Sequence, residues 1–428
     1  MSVGASTSSG SAALPIWRDP AAWVRTADVV AVLIALALPW STSLVAIFAV
    51  AWIVVVVPTL DLAGFVRSLK QPACMLPIAI FALAVVGTLW SDAPWGARLY
   101  AISPTAKLLV LPLLIHHFGR SERGLWVFIG FLVSCSLLMI LSWIVAFDPA
   151  LTIKPRVDYG VPVKNYINQS QEFALCAVAL AYPVVKLFNQ RKFALAAMLL
   201  ALGLSFVVNM MFVIVSRTAL VAMPIMLLVF ALLHLKWRGV VITLCATAAL
   251  AGTAWFASPH LRTKAMSFFS EYDRYEQANE ATSIGLRMEF WKKSFHFFAE
   301  APLVGHGTGS TRGLFEQAAV GQTGAAAEVI GNPHNQTLNA AVQWGLLGVA
   351  VLYAMWLVHL LLFRADGLAS WIGLLVVVQN IVSSLFNSHL FDFHEGWMYV
   401  LGVGIAGGMV LQVGRRDEAA KRPPSTGA

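Results

Sequence analysis

Apolar runs of roughly twenty residues, separated by short stretches carrying charge, Pro or Gly, recur along most of this chain. Each run is long enough to cross a bilayer as a helix, which needs about 20 mostly apolar residues and satisfies its own backbone hydrogen bonds. Twelve spans are predicted, near 22–39, 42–60, 72–90, 98–116, 124–147, 171–188, 193–215, 218–234, 239–257, 337–363, 367–386 and 396–413. The first is the weakest, because it is short and ends at Pro39-Trp40-Ser41-Thr42. The alternating, Gly-separated strands of an outer-membrane barrel are absent from the pattern. The expected fold is therefore an all-α polytopic membrane protein. No internal repeat or similar halves emerge, which argues against an inverted-repeat transporter.

Composition agrees. Of 428 residues, 59% are hydrophobic and 12% charged, and the mean hydropathy is +0.75. A soluble domain carries about 25% charged residues; this chain has too few polar groups to cover a globular surface without lipid. A soluble enzyme, a disordered scaffold and a secreted disulfide framework are excluded. The four cysteines (Cys74, Cys135, Cys176, Cys245) lie in apolar runs without CxxC spacing and read as free thiols. Residues 1–21 are expected to be a disordered tail with no cleaved signal peptide.

The net charge of +8 contains no basic run of the kind that tracks nucleic acid. It reads instead as a topology marker. Fifteen Lys/Arg, from Arg18 and Arg25 through Arg67, Arg120, Arg191, Lys236 and Arg364 to the 414–428 tail, fall on one set of loops. The short loops opposite hold five: Arg98, Lys154, Arg156, Lys164 and Arg217. The positive-inside bias then makes both termini cytoplasmic. Spans one to nine occupy 22–257, a large helical segment facing the other side occupies 258–336, and the last three spans occupy 337–413. In that segment Phe290, Trp291, Phe295 and Phe298 form an aromatic band. It suits an interfacial helix, a lid over a lipid-facing site, or both.

Cations on the outward face run against the topology rule and so draw attention. The 148–170 loop carries Lys154, Arg156 and Lys164; Arg217 sits in the hinge Val215-Ser216-Arg217-Thr218; Arg287 opens the pattern Leu286-Arg287-Met288-Glu289. Arg217 could reach lipid headgroups, and Arg287 could pair with Glu289 or another acid. Together, however, guanidinium forks at one membrane face are suited to bidentate binding of a pyrophosphate. Lys107 lies inside the fourth span, where an ionisable group usually faces a cavity; a role near the ligand competes with snorkelling or a structural carbonyl contact.

The run Pro302-Leu303-Val304-Gly305-His306-Gly307-Thr308-Gly309-Ser310 lacks the Gly-Lys-Ser/Thr ending of a phosphate-cradling loop and is expected to be a tight turn. Asn332-Pro333-His334-Asn335 closes the outer segment, placing His334 and Asn335 at its junction with the membrane. No HExxH or Asp-x-Asp motif is present. His389, Asp392, His394 and Glu395, in the last outer loop, have ligand-type side chains, but a ring of unrelated polar loop residues is the preferred reading and no metal is assigned.

The order of an Arg-aromatic helix, Pro-Leu-x-Gly-x-Gly-x-Gly, then His-Asn entering a span with Gly345-Leu346-Leu347-Gly348 resembles the O-antigen ligase superfamily. The motifs cover about 285–350, and the frame of spans extends the likeness along the chain. The resemblance implies a C-type glycosyltransferase-like helical architecture with about twelve spans in the bacterial inner membrane, and a site facing the periplasm. It implies transfer of O-antigen from undecaprenyl pyrophosphate to a sugar hydroxyl of lipid A–core, without metal, ATP or other cofactor. The family's essential histidine falls on His334 and its arginines on Arg217 and Arg287; Arg156 and Lys154 carry over by position only. Substrate contacts are expected from Arg156, Lys154, Lys107 and Asn335, with Asp392 in reserve to orient His334 or act as base. No carboxylate pair suggests a covalent glycosyl intermediate, so a single inverting displacement is expected.

Two alternatives stay open. A polymerase or a protein O-oligosaccharyltransferase would use the same donor with another acceptor, though the short basic tail favours the ligase. A lipid-linked glycan transporter would need a polar pathway, and only Lys107 and Lys186 are clearly ionised inside the spans.

Overall fold

The computed structural model describes residues 19–154 and 158–421. The expected N-terminal tail thus lies, through residue 18, outside the described residues, as do Arg156 and residues 422–428. Among the described residues every regular element is a helix. The first are α1 (Pro20–Ala37), α2 (Thr42–Val56), α3 (Leu62–Leu69), α4 (Pro72–Val86), α5 (Trp95–Ala106), α6 (Val110–Phe118) and α7 (Gly124–Phe147). Next come α8 (Tyr166–Ala179), α9 (Ala181–Asn189), α10 (Phe193–Phe212), α11 (Arg217–His234) and α12 (Trp237–Ala257). The intervening segment holds α13 (Pro259–Ala278), α14 (Ser283–Glu300) and α15 (Thr311–Ala319). The chain closes with α16 (Gln336–Leu362), α17 (Leu368–Ser383) and α18 (Phe393–Lys421).

Local chemistry fixes where several helices begin. Asp19, Ser41, Asn165, Ser258, Thr282 and Asn335 each accept a hydrogen bond from a backbone N–H in the first turn of the helix that follows. Such caps satisfy donors that the helix itself leaves free. Proline at the first helical position of α1, α4 and α13 supplies a fixed φ without wasting a donor.

Among the described residues, ten helical stretches, with α5–α6 and α8–α9 each counted as one, are long and apolar enough to cross a membrane, or eleven if α3 and α4 are one bent span. This multi-pass architecture agrees with the hydropathy pattern, and the expected twelve is reached if both the bent pair and the shorter apolar helix α17 cross. The third predicted span, 72–90, is the 15-residue α4, which meets α3 at 78°. Pro72 forbids a continuous helix across residues 70–72. The eleventh, 367–386, is the 16-residue α17. Apolar run length registers neither the bend nor the shortness of α17.

The innermost helix is α18, whose spanning window is 72% buried, whereas that of α12 is 6% buried and faces outward. α18 packs on α6 and α17, α1 on α2 and α7, and α16 on α4. α16 is interrupted at Gly345, whose φ of 61° and ψ of −152° are essentially reserved for glycine. The Gly-rich turn fills the interruption. His306 N–H donates to Val342 O and Gly307 N–H to Gln343 O, both at 2.9 Å. In return Leu346 N–H donates to Pro302 O at 2.8 Å and Leu347 N–H to Leu303 O at 3.2 Å. Backbone groups released by the break are satisfied inside the protein, as a lipid environment requires.

Candidate active site

The loops at one end of the bundle are laced together. Thr308 N–H donates to Gly87 O at 2.9 Å, Trp90 Nε1 to Val304 O at 3.2 Å, Ser258 Oγ to Met211 O at 2.9 Å, and Gln336 N–H to Ser384 O at 2.9 Å. The segment between α12 and α16 is therefore tied to this end, and it brings three of the sequence-predicted residues together.

His334 lies just before α16 in a left-handed conformation, φ 52°. Asn332 Oδ1 supports this turn, accepting from His334 N–H at 3.0 Å and from Ser388 Oγ at 2.6 Å. The half-buried imidazole places Nδ1 2.7 Å from Asn387 Oδ1, and its ring is 6.0 Å from Phe290. Asn387 Nδ2 donates in turn to Asp392 Oδ2 at 2.6 Å. Burial pushes the imidazole below its ordinary pKa; the Asn387 contact acts in the opposite direction, and the charge of Arg287 adds to the lowering. Near neutral pH His334 is a neutral imidazole.

Arg287 projects from the first turns of α14. Nη1 donates to Ser283 Oγ at 3.3 Å, while the buried Nε has no partner. The anticipated pair with Glu289 does not form, since residues two apart on α14 point to different faces, and Glu289 Oε2 instead accepts from Tyr275 OH at 3.0 Å. Arg287 interacts electrostatically with Tyr166, Arg217 and Glu271 as well as with His334 and His389. Arg217, at the start of α11, is held by α13: Nη2 donates to Glu271 Oε1 at 2.6 Å and Ser267 Oγ at 2.7 Å, and Nε to Lys264 O at 3.2 Å. The Lys264 ammonium lies 5.2 Å from the Tyr166 ring centre. Lys264 and Arg287 thus both lie near Tyr166, and Arg217 is bonded to the same stretch of α13 that carries Lys264.

The remaining expected residues divide. Lys107 reaches this end from its span, donating to Phe391 O at 2.8 Å and Asp392 O at 2.6 Å, so it anchors the loop below His334. Asp392 touches His334 only through Asn387; burial and the charge of Glu395 push its carboxyl up to about 7, against the pull of Lys107 and Asn387. Asn335 is consumed by the fold, its Oδ1 capping α16 at Leu338 N–H and its Nδ2 donating to Leu385 O at 3.2 Å. Lys154 is exposed and none of the polar contacts of Arg217, Arg287 or His334 involves it. Arg156 lies outside the described residues.

Phe290 and Phe297 turn inward to pack with Phe315 and Val342, while Phe295 is exposed. The expected aromatic band is therefore split between a small core and a surface. For a cation, His389, Asp392 and Glu395 offer ligand atoms within 4.8 Å of one another. Lys107 Nζ reaches the same loop, donating to the Phe391 and Asp392 carbonyls.

An apolar cavity of about 540 Å³ lies between α8, α10, α11, α12 and α13. Its lining includes Leu220, one turn along α11 from Arg217, and Leu261 and Ala265, which flank Lys264 on α13. A second apolar cavity, about 280 Å³, lies among α7, α8, α17 and α18, lined by residues such as Phe128, Leu175 and Met398, and contains none of these cations.

Sequence reasoning missed Asn387, Asn332, Glu271 and Lys264. Asn387 and Asn332 stand in polar loop runs that could have been flagged beside Asp392 and His334. Glu271 is 54 positions from Arg217, and no spacing rule connects them.

Residues 202–353 match the family model described as O-antigen ligase. The matched region contains Arg217, Arg287 and His334 and ends before Asn387 and Asp392. A protein of Haemophilus influenzae, described as uncharacterized, is 25% identical over 181 residues, covering 41% of this chain and 44% of the relative. The chain thus spans less than half the length of that relative.

Proposed function

We propose that this chain, a member of the O-antigen ligase superfamily, transfers O-antigen polysaccharide from undecaprenyl pyrophosphate to a sugar hydroxyl of lipid A–core at the periplasmic face of the bacterial inner membrane. The observation that carries this reading is the convergence of Arg217, Arg287 and neutral His334 at one end of the bundle, with Arg217 beside an apolar cavity. The cavity suits an isoprenoid tail, and Arg217 and Lys264, on the helices that line it at Leu220 and Ala265, suit the diphosphate to which that tail is attached. The Lys/Arg bias of the loops supports a periplasmic site and cytoplasmic termini.

In the proposed reaction the acceptor hydroxyl oxygen attacks the anomeric carbon while the bond from that carbon to the pyrophosphate oxygen breaks. The electron pair leaves on the pyrophosphate, and Arg217 and Arg287 stabilise the growing charge. A single preorganised donor of this kind is typically worth on the order of 10²–10³ in rate. His334 takes the hydroxyl proton, a contribution of roughly 10²–10⁴. One displacement inverts the sugar. Lys107 and Asp392 stand behind His334, and Lys154, Arg156 and Asn335 are assigned no step.

The test is incubation of purified protein with glycan-bearing undecaprenyl pyrophosphate and, separately, lipid A–core, a second donor glycan or a pilin-type protein, with EDTA present. Mass gained by lipid A–core is the expected result. Gain by another acceptor alone would replace the ligase reading with a polymerase or protein-glycosylating one. Movement of donor across the bilayer without a new bond would identify a transporter.

A further inference from the structure

Asn387 stands between the two groups that sequence reasoning had considered as partners, and its amide has little freedom. Ser388 N–H can only donate, so the Asn387 amide atom it faces is Oδ1, and the group 2.6 Å from Asp392 Oδ2 is Nδ2. Oδ1 must then point the other way, where it lies 2.7 Å from His334 Nδ1 and accepts from Ser388 N–H at 3.0 Å. An oxygen at that position requires the imidazole proton to be on Nδ1. The Nε2 lone pair is left free, which is the form a general base needs.

The surrounding contacts hold this amide in place. Lys107 fixes the carbonyls of Phe391 and Asp392, keeping the carboxylate under Asn387. Asn332 Oδ1 joins the two loops by accepting from both His334 N–H and Ser388 Oγ. His334 itself is attached through a left-handed residue rather than a helix, so its ring direction depends on such contacts.

We propose that Asn387 is the positioning residue of the reaction, setting the tautomer and direction of His334 from Asp392 without touching substrate. This inference rests on the assignment of His334 as base.

The experiment is steady-state transfer by the full chain in lipid nanodiscs, with undecaprenyl-pyrophosphate-linked O-antigen and lipid A–core, for Asn387→Ala, Asn387→Asp, His334→Ala and the Asn387→Ala/His334→Ala double variant. Asn387→Ala should lower kcat by on the order of 10²-fold with donor KM within about twofold. In the His334→Ala background the same change should cause no further loss, because its effect passes through the imidazole. Asn387→Asp keeps an acceptor oxygen and adds negative charge beside a ring that also faces Arg287 and His389. It should retain more activity than Asn387→Ala and move the acid limb of the pH profile upward. An unchanged kcat in Asn387→Ala, or an equal loss with and without His334, overturns the proposal. So does an unmoved acid limb in an active Asn387→Asp protein. Near-normal transfer by His334→Ala would defeat the base assignment itself, whereas an impaired His334→Ala beside a normal Asn387→Ala would defeat only this inference.

Discussion

Glu271 Oε1 lies 2.6 Å from Arg217 Nη2, so the arginine assigned to the donor's diphosphate already has an anionic partner. Burial pushes the Glu271 carboxyl upward, but the hydrogen bond and charge of Arg217 outweigh it and hold the pKa below its ordinary value. The carboxylate therefore competes with an incoming phosphate. Glu271→Gln preserves an acceptor oxygen and removes the charge. Donor KM is expected to fall about fivefold, corresponding to about 1 kcal/mol for a partly exposed ion pair. A rise in donor KM, measured in the same transfer assay, would show that Glu271 prepares the site instead of competing for it.

Asp392 gives the account a pH signature. Its folded-state pKa of about 7 exceeds the ordinary 3.8, so the folded protein holds this proton more tightly than the unfolded chain. The associated stability is fully present below the unfolded value and is lost as pH rises through about 7. Asp392→Asn removes the titration while keeping an oxygen for Asn387. Thermal unfolding in detergent should show the variant gaining on the parent protein as pH rises across that window. A stability difference independent of pH would contradict the buried-charge reading.

The Gly-rich turn is expected to be structural. Gly307 has φ of 86°, and a Cβ there would lie 2.6 Å from Ser91 Cα. Gly307→Ala should combine left-handed strain of roughly 1–2 kcal/mol with that clash. A lower melting temperature and lower folded yield are expected, with reduced transfer following from loss of fold. Normal stability with selectively lost donor binding would make the turn a ligand loop.

Much of this organisation is legible from sequence because lipid imposes a simple rule on apolar runs. That rule locates α7, α10 and α12 closely, and the position of His334 before an apolar run marks the entry to α16. It does not reveal the 78° bend between α3 and α4, since Pro72 interrupts the helix without making the run polar. It also gives no sign that Gly345 breaks α16, because the compensating bonds come from residues about forty positions earlier. At the site, Arg217, Arg287 and His334 could be selected by chemical type and position. Their supports could not: Glu271 approaches Arg217 from α13, and Asn387 reaches His334 from beyond α17. Asn335 illustrates the opposite case, a polar residue beside the histidine whose side-chain groups serve a helix cap and a loop tie.

The most direct measurement is steady-state transfer of O-antigen from undecaprenyl pyrophosphate to lipid A–core by purified His334→Ala protein. kcat is expected to fall by roughly 10²–10⁴-fold while donor KM stays close to the parent value, since the base acts in the transition state and the arginines still bind the diphosphate. Near-normal kcat in a folded His334→Ala protein would contradict the assignment of His334 as base.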